Sequence, residues 1–194
     1  MTKNENTDIV ICGVGGQGVI LASKVLATAA LLQGFDVKAS EVHGMAQRGG
    51  SVLSQVRIGK EIFSPTIPLC KASTCLSFEE LEALRYLPYL KEKAMIVVNN
   101  KRIDPLLVEL KQAKYPENVI DLLKEKGFNV SSINGEETLK EKGFPLKALN
   151  ILLLGVASKT IPIAEEFFLT AIEKSVPLKT VEINKEVFML GRSF

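Results

Sequence analysis

The chain has no tryptophan and only one histidine, His43. With a single imidazole available, a zinc site would need unusual ligands, so we expect no metal site in this chain. The three cysteines are Cys12, Cys70 and Cys75, fewer than an iron–sulfur cluster normally requires. They form no C-x-x-C pair, and their odd number argues against a disulfide framework. We therefore expect free thiols in a reducing, cytoplasmic compartment.

Neither sign of charge is in excess. Lys and Arg number 24 and Asp and Glu 22, which gives a net charge of +2. This balance provides no electrostatic reason to expect nucleic acid or an acidic membrane as a partner. The apolar run ILLLGVA at 151–157 is far too short to span a bilayer, which needs roughly 20 residues. The polar start, MTKNENTD, does not resemble a signal peptide.

The remaining sequence alternates β-rich and helical patterns. Hydrophobic residues make up 46% of the chain, enough for a sizeable core. We predict strands at 8–12, 36–42, 51–59, 74–78, 94–99 and 128–133, and helices at 16–33, 79–87, 116–127, 136–142, 146–159, 163–175 and 184–190. These patterns predict a single α/β domain over 1–194: a mainly parallel, Rossmann-like sheet with flanking helices and a helical C-terminal third.

Two local patterns give sharper expectations. The predicted helix 16–33 is apolar on nearly every side, so we expect the sheet to cover one face and another layer or chain the other. Ser77 and Glu80 have the spacing of a capping box at the start of helix 79–87.

A first glycine cluster, GVGGQG at 13–18, fits G-x-G-x-x-G between a strand and a helix. In that pattern Gly13 allows a tight turn, Gly15 allows a ligand or backbone to approach closely, and Gly18 lets the helix pack on the strand. The backbone N–H groups of Gly16 and Gln17 lie where a helix begins and an anion can bind. The turn is thus a candidate cofactor-binding site, or else a device for tight packing only.

Glu41 keeps a dinucleotide interpretation open. It lies near the end of the second predicted strand, about where a Rossmann site has the acidic residue that binds ribose. One hypothesis is therefore an independent dinucleotide-binding oxidoreductase that uses the glycine cluster and Glu41.

A second cluster, EVHGMAQRGGSV at 41–52, joins two predicted strands. It should lie at the carboxyl edge of the sheet, where ligands gather in open α/β folds. The candidate functional side chains are His43, Gln47 and Arg48, with Glu41; the remaining candidates for interface or loop roles are Gly44, Met45, Gly49 and Gly50. The alternative is that His43 and Arg48 only fasten the loop by hydrogen bonds.

The two clusters resemble a known family. GVGGQGV at 13–19, SEVHGMAQRGGSV at 40–52 and VRIG at 56–59 resemble the small catalytic-domain subunit of 2-oxoacid:ferredoxin oxidoreductases. That family includes the beta subunit of the indolepyruvate enzyme, which these patterns resemble in particular, and the gamma subunit of the pyruvate and 2-oxoisovalerate enzymes. Weaker matches extend the resemblance over essentially the whole chain: SFEELEALR at 77–85, VVN at 97–99, YP at 115–116, NILLLG at 150–155, and Asn184, Phe188 and Gly191. One departure is LCKAST at 69–74, which lacks an aspartate that the family pattern has there.

The resemblance implies a reaction that the residues do not reveal by themselves. Such enzymes oxidatively decarboxylate a 2-oxoacid, join the acyl group to coenzyme A and pass electrons to ferredoxin. They use thiamine diphosphate, Mg and 4Fe-4S clusters, which we expect in a larger partner subunit, because this chain has neither a G-D-G…N motif nor a cysteine cluster. The chain would then be a non-autonomous subunit, inactive alone, with an aryl-pyruvate such as indolepyruvate as the expected substrate.

In such a complex the second cluster would cover or complete the partner's cofactor site. Arg48 would pair with a carboxylate or phosphate, and His43 would donate a hydrogen bond or transfer a proton near neutral pH. A clasp between subunits is the competing role. The glycine cluster would face the partner or hold part of coenzyme A. A scaffold without any ligand is a third hypothesis.

Overall fold

The computed structural model describes residues 6–44 and 50–194. Met45, Gln47, Arg48 and Gly49 lie outside this range. The strands are β1 (Thr7–Val14), β2 (Asp36–His43), β3 (Ser51–Gly59), β4 (Ala72–Ser77), β5 (Leu90–Asn99) and β6 (Asn129–Ile133). The helices are α1 (Val19–Leu32), α2 (Glu80–Arg85), α3 (Leu106–Glu109), α4 (Val119–Glu125), α5 (Gly135–Glu141), α6 (Leu149–Ser158), α7 (Glu165–Ser175) and α8 (Val181–Arg192). Single 3₁₀ turns lie at Leu87–Tyr89, Leu146–Ala148 and Leu178–Thr180.

One sheet organises the described residues, with the strand order β2-β3-β1-β4-β5-β6. The pairs β1–β4, β4–β5 and β5–β6 are parallel, whereas β3 is antiparallel to both β1 and β2. The predicted mainly parallel sheet is confirmed. The reversed β3 arises because β2 and β3 are joined by a short connection, which permits only an antiparallel pair.

Helices cover both faces of the sheet. On one face, α1 and α6 lie against the strands, α7 packs on α1, and α8 packs on α6. On the other face, α2 and α4 cover a second apolar cluster built around Val10, Cys12, Ile96 and Val98. The predicted second cover of α1 is therefore a layer of the same chain. Every residue of α6 is buried, because that helix is enclosed by the sheet and by α8.

One difference from the predicted elements lies at the start of α1. The helix begins at Val19 rather than near Gly16, because Gly16 (φ +97) and Gly18 (φ +86) have left-handed backbones that an α-helix does not accept. The glycine cluster thus forms a turn of its own before the helix.

The predicted capping box at Ser77 and Glu80 is wrong. The Ser77 hydroxyl donates to the carbonyl of Glu79, 2.6 Å away, and Glu79 is the residue that caps α2, accepting from the N–H of Glu82 at 3.0 Å. A buried carboxylate outcompetes the serine because a charged acceptor forms the stronger hydrogen bond.

No helix among the described residues is long and apolar enough to cross a membrane.

Candidate functional site

One edge of the sheet gathers the ends of most strands. Because β3 runs in the opposite direction, its first residue lies beside the last residues of β1 and β2: Ser51 is opposite Val14, and Val52 is opposite His43. The ends of β4, β5 and β6 lie at the same edge. We call this edge the carboxyl rim; it comprises Val14, His43, Ser51, Ser77, Asn99, Ile133 and the turns that follow them. The first glycine cluster and the described ends of the second, residues 41–44 and 50–52, therefore lie at the predicted edge.

The first glycine cluster forms a closed turn at the end of β1. The Gln17 side chain accepts from the N–H of Val14 at 2.7 Å and donates to the carbonyl of Phe78 at 2.9 Å. The N–H of Gln17 itself donates to the carbonyl of Val14. One glutamine thus closes the turn and attaches it to the end of β4.

Two of the glycines are required by packing. A Cβ on Gly13 would lie 2.8 Å from Gln17 Oε1 and 2.9 Å from the Cβ of Phe78, and one on Gly18 would lie 2.6 Å from the Asn150 amide nitrogen. Gly16, in contrast, is exposed and faces open space. The packing interpretation therefore holds at Gly13 and Gly18, while Gly16 is where a ligand or partner can approach.

A backbone hydrogen bond joins the two glycine clusters. The N–H of Gly15 donates to the carbonyl of Gly50 at 2.9 Å, and the N–H of Gly44 donates to the carbonyl of Ser51 at 2.8 Å. The two ends of the second cluster are thereby fixed to each other and to the first cluster. Residues 13–18 and the ends of 44–50 form a single structural unit at the rim.

The candidate side chains of β2 point to an uncovered part of the molecule. Glu41, His43 and Gly44 are all exposed, at the end of an edge strand that has β3 as its neighbour. His43 is thus available for contact with a ligand or a partner. The side chains of Gln47 and Arg48 lie outside the described residues, as do Met45 and Gly49, so their predicted roles stay predictions.

The strand order separates Glu41 from the first glycine cluster. In a Rossmann site the second strand lies directly beside the first, whereas here β3 lies between β1 and β2. Neighbouring strands are about 4.8 Å apart, so β2 is about 10 Å from β1. The N–H groups of Val14, Gly15 and Gln17 also already have partners within the chain. The arrangement is therefore unlike the dinucleotide site of the alternative hypothesis.

Asn150 is a rim residue to which the sequence pattern assigned no role. It is 3% exposed, and its side chain lies against Gly18 and donates to the Gly18 carbonyl at 3.3 Å. Because Asn150 lies at the start of α6, this hydrogen bond attaches the C-terminal third of the chain to the rim. A lone asparagine before an apolar run offered little sign of this contact.

A second buried polar group lies under the same edge. Glu79, 1% exposed, accepts from the N–H groups of Glu82 and Ile103 and from the Tyr115 hydroxyl at 2.5 Å. Burial and the adjacent carboxylate raise the pKa of Tyr115 well above its usual value, so this hydroxyl remains a donor. Arg102 lies 4.4 Å from the centroid of the Tyr115 ring. These contacts attach the segment after β5 to α2, which is a structural role.

The cysteines are free thiols in the structure. Cys12 and Cys75 are buried beside one another, with sulfur atoms 3.8 Å apart, and burial raises the pKa of Cys12 well above its usual value. A thiol of this kind is a poor nucleophile. Across residues 6–44 and 50–194 no three His, Cys, Asp or Glu side chains are grouped so as to hold a metal ion.

A polar cavity of about 450 Å³ lies at the far end of the rim, beyond β5 and β6. It is lined by Asn100, Lys101, Asn134, Glu136, Glu137 and Lys140. Lys101 is paired with Glu136 at 2.9 Å, so the charges of this cavity are partly neutralised within the chain.

A glycine-bearing carboxyl rim on a six-stranded sheet defines the class of protein: a mixed α/β domain with two glycine clusters joined at the ends of its strands. The chain belongs to the family described as pyruvate ferredoxin/flavodoxin oxidoreductase, which matches residues 8–194. The resemblance drawn from the two glycine clusters is thereby confirmed.

Individual relatives agree with this assignment. The chain is 40% identical over 190 residues to the indolepyruvate oxidoreductase subunit IorB of Thermococcus kodakarensis, covering 95% of this chain and 93% of the relative. Its fold matches the gamma subunit of a keto/oxoacid ferredoxin oxidoreductase from Geobacter sulfurreducens with a TM-score of 0.70 at 24% identity, over 96% of both chains.

A longer chain contains the same fold. The 2-oxoglutarate:ferredoxin oxidoreductase of Magnetococcus marinus, solved with 2-oxoglutarate, coenzyme A and succinyl-CoA bound, matches with a TM-score of 0.72 at 20% identity. The match covers 97% of the present chain but 31% of that chain. The fold thus occurs both as a small separate subunit and as part of a larger polypeptide.

Proposed function

We propose that this chain is the small subunit of a 2-oxoacid:ferredoxin oxidoreductase and acts on an aryl-pyruvate, with indolepyruvate as its preferred substrate. The carboxyl rim completes a thiamine diphosphate site on a larger subunit, which holds the Mg and the 4Fe-4S clusters. The observation that supports this most is the union of the two glycine clusters through Gly15 and Gly50, at the edge where ligands gather in open α/β sheets. The likeness to an indolepyruvate oxidoreductase subunit supports the substrate. Buried free cysteines fit a reducing, cytoplasmic compartment.

Thiamine diphosphate, when bound in the partner, supplies the chemistry that removes carbon dioxide from the 2-oxoacid. The residues of this chain would exclude water and hold polar groups of the substrate. His43 is exposed at the end of β2, so its imidazole can reach a partner and donate or accept a proton. Arg48, predicted from the sequence, would bind a carboxylate or phosphate in a bidentate manner.

Reconstitution tests the proposed function. The chain is purified alone, the larger subunit alone, and both together, and ferredoxin reduction is measured with coenzyme A and either indolepyruvate, phenylpyruvate, pyruvate or 2-oxoglutarate. We expect turnover only with both subunits, with the highest kcat/KM for indolepyruvate. Turnover by the small subunit alone, or stoichiometric uptake of a nicotinamide or flavin, would contradict the proposal.

His43 is tested in the same assay. We expect His43→Ala to lower kcat of the reconstituted enzyme by about 10²-fold or more, which is the low end of what a positioned acid or base contributes. Lys38→Ala is the matched control: Lys38 is exposed on the same strand but farther from the rim, and should leave kcat unchanged. If both variants retain full kcat while the complex still forms, His43 has no part in turnover.

Coenzyme A binding by the first glycine cluster is tested through Gly16. This residue is exposed and faces open space, so a phosphate-bearing ligand can approach it. Asn and Asp both tolerate its left-handed backbone, and they differ mainly in charge. If the turn faces coenzyme A, isothermal titration of the complex should give a Kd about tenfold weaker for Gly16→Asp than for Gly16→Asn, since like charges a few ångströms apart cost about 1 to 4 kcal/mol. Equal affinities would rule out phosphate contact here.

A further inference from the structure

A chain of hydrogen bonds lies directly beneath the rim. The Ser51 hydroxyl donates to the carboxylate of Glu82 and lies 2.8 Å from the Tyr86 hydroxyl. A serine hydroxyl has one proton to donate. Because Ser51 donates it to Glu82, the Tyr86 hydroxyl is the donor in the hydrogen bond between Tyr86 and Ser51. Arg85 donates to the other oxygen of Glu82 at 3.1 Å. We call Ser51, Glu82 and Tyr86 the rim anchor.

Ser51 connects this anchor to both glycine clusters. The carbonyl of Gly50, the residue before Ser51, accepts from the N–H of Gly15. The carbonyl of Ser51 accepts from the N–H of Gly44. The side chain of Ser51 is thus attached to α2, while the adjacent backbone is attached to the turn after β1 and to the end of β2. Ser51 therefore holds α2, the turn after β1 and the end of β2 in position relative to one another.

The carboxylate in this anchor is deeply enclosed. Glu82 is 3% exposed, and desolvation is the main cause that raises its pKa, against the hydrogen bond from Ser51 and the charge of Arg85. An enclosed carboxylate is unfavourable unless hydrogen bonds satisfy it. Here the Glu82 carboxylate accepts from Ser51 and Arg85, which holds the Ser51 side chain against α2. The start of α2 is capped by Glu79, which accepts from the N–H of Glu82.

We infer that Glu82 is a positioning residue for the reaction: acting through Ser51, it sets where the two glycine clusters stand relative to the partner's cofactor. This inference rests on the proposed function. Ser51 and Glu82 both lie within stretches that resemble the family, SEVHGMAQRGGSV and SFEELEALR, but the resemblance assigned neither of them a role. The effect of the anchor on turnover is exerted through the backbone of Gly50 and Ser51, which accept from Gly15 and Gly44.

The first test needs only the full chain. Amide hydrogen exchange is compared for wild type, Ser51→Ala and Ser51→Thr. The alanine variant should exchange the Gly15 and Gly44 amides at least about tenfold faster, with the amides of central β1 and β5 unchanged, since local opening is independent of global unfolding. Threonine retains the hydroxyl and suits a strand, so it should restore protection. Unchanged exchange at Gly15 and Gly44, or a uniform rise across the sheet, would overturn the inference.

The second test uses the reconstituted complex. Ser51→Ala and Glu82→Ala should lower kcat about tenfold with little change in KM for the 2-oxoacid, while Ser51→Thr and Glu82→Gln, which keep a hydroxyl or an acceptor oxygen, should recover most of it. Full kcat in Ser51→Ala despite lost amide protection would overturn the role in turnover. If Glu82→Ala fails to fold, the comparison of Ser51→Ala with Ser51→Thr tests the role of the anchor in turnover.

The two proposals fail in different ways. If the wild-type complex lacks 2-oxoacid turnover, the proposed function is wrong, and the exchange measurement on the free chain is unaffected. If the wild-type complex is active and Ser51→Ala is indistinguishable from it, only the positioning role is lost.

Discussion

Gly16 and Gly18 are two residues apart, share a left-handed backbone and differ in what surrounds them. Gly16 faces open space, whereas Gly18 faces the side chain of Asn150. Glycine is required at position 16 because of the left-handed backbone, and at position 18 because of that backbone and because a side chain has no room there.

This pair gives a controlled prediction. Alanine at either position adopts an unfavourable left-handed backbone, which costs about 1–2 kcal/mol. In Gly18→Ala the new methyl group must also displace Asn150, which costs about 1–3 kcal/mol more. We expect urea unfolding to give a lower free energy for Gly18→Ala than for Gly16→Ala by that second amount. Equal losses would mean that Asn150 moves aside freely.

Glu82 gives a prediction about pH. Its pKa is raised from the ordinary 4.5 mainly by desolvation, so between pH 4.5 and the raised value the folded state binds more protons than the unfolded state. Stability therefore falls as pH rises through this window. The amide of the Glu82→Gln variant cannot ionise, so the wild type should lose stability relative to this variant as pH increases from 4.5 through the raised pKa.

Urea denaturation of both proteins across this range measures the effect. Groups shared by the two proteins cancel in the difference, including Glu80, whose pKa desolvation also raises. A difference that does not vary with pH would show that the carboxylate is not desolvated.

Residues close in sequence were predictable at the rim, and residues distant in sequence were not. Gly13, Gly15 and Gly18 belong to one local pattern, and their position after a strand followed from it. Asn150 and Glu82 reach the same place from separate elements, α6 and α2. Both lie in stretches that resemble the family, but their neighbours in sequence do not indicate these contacts, because only the tertiary arrangement brings the two residues to the rim.

At the scale of elements, the crossing of α6 and α8 depends on two glycines. A Cβ on Gly155 would meet the carbonyl oxygen of Phe188, and one on Gly191 would meet that of Leu152. Each contact is with backbone, so the helices would have to separate. Phe188 also stacks on Phe168, with ring centroids 5.2 Å apart, and that contact would shift as well.

We expect Gly191→Ala to destabilise the protein by about 1–3 kcal/mol or more, as overpacking does in a filled core. Glu186→Ala is the matched control because residue 186 is exposed on the same helix, where a substitution typically changes stability by less than about 0.5 kcal/mol. Chemical denaturation monitored by far-UV circular dichroism measures both. A Gly191→Ala protein as stable as the control would mean that α8 is not held closely against α6.

The same scale explains which element boundaries were predictable. Hydrophobic pattern located all six strands, either as a continuous apolar run, as in β5, or as apolar residues separated by polar ones, as in β2. The start of α1 and the cap of α2 were missed, because they depend on backbone torsions at Gly16 and Gly18 and on a carboxylate at Glu79 whose partners, Ile103 and Tyr115, come from after β5. The reversed β3 could be anticipated only from the shortness of the 44–50 connection.

At the scale of the whole molecule, the C-terminal helices complete the core begun by the sheet. Buried residues of α1 and of α6, α7 and α8 form one cluster with one face of the sheet. We therefore predict that residues 1–194 unfold as a single domain, with a calorimetric enthalpy equal to the van't Hoff enthalpy. Two resolved transitions would indicate separate units.

A truncated chain provides the complementary measurement. Ending the chain at residue 148 removes α6–α8 and uncovers the apolar side of α1. This fragment should bind a hydrophobic dye and lack a cooperative transition, as molten states do. A fragment with a sharp transition and no dye binding would show that the sheet folds without the helices.

The hydrogen bond from Asn150 to Gly18 spans 132 positions of the chain. During synthesis the segment around Gly18 leaves the ribosome early, and Asn150, whose side chain supports that turn, is added only after most of the polypeptide has been made. A nascent or prematurely terminated product would then present an incomplete edge to other subunits. A chain that ends before residue 150 lacks the side chain that supports this turn.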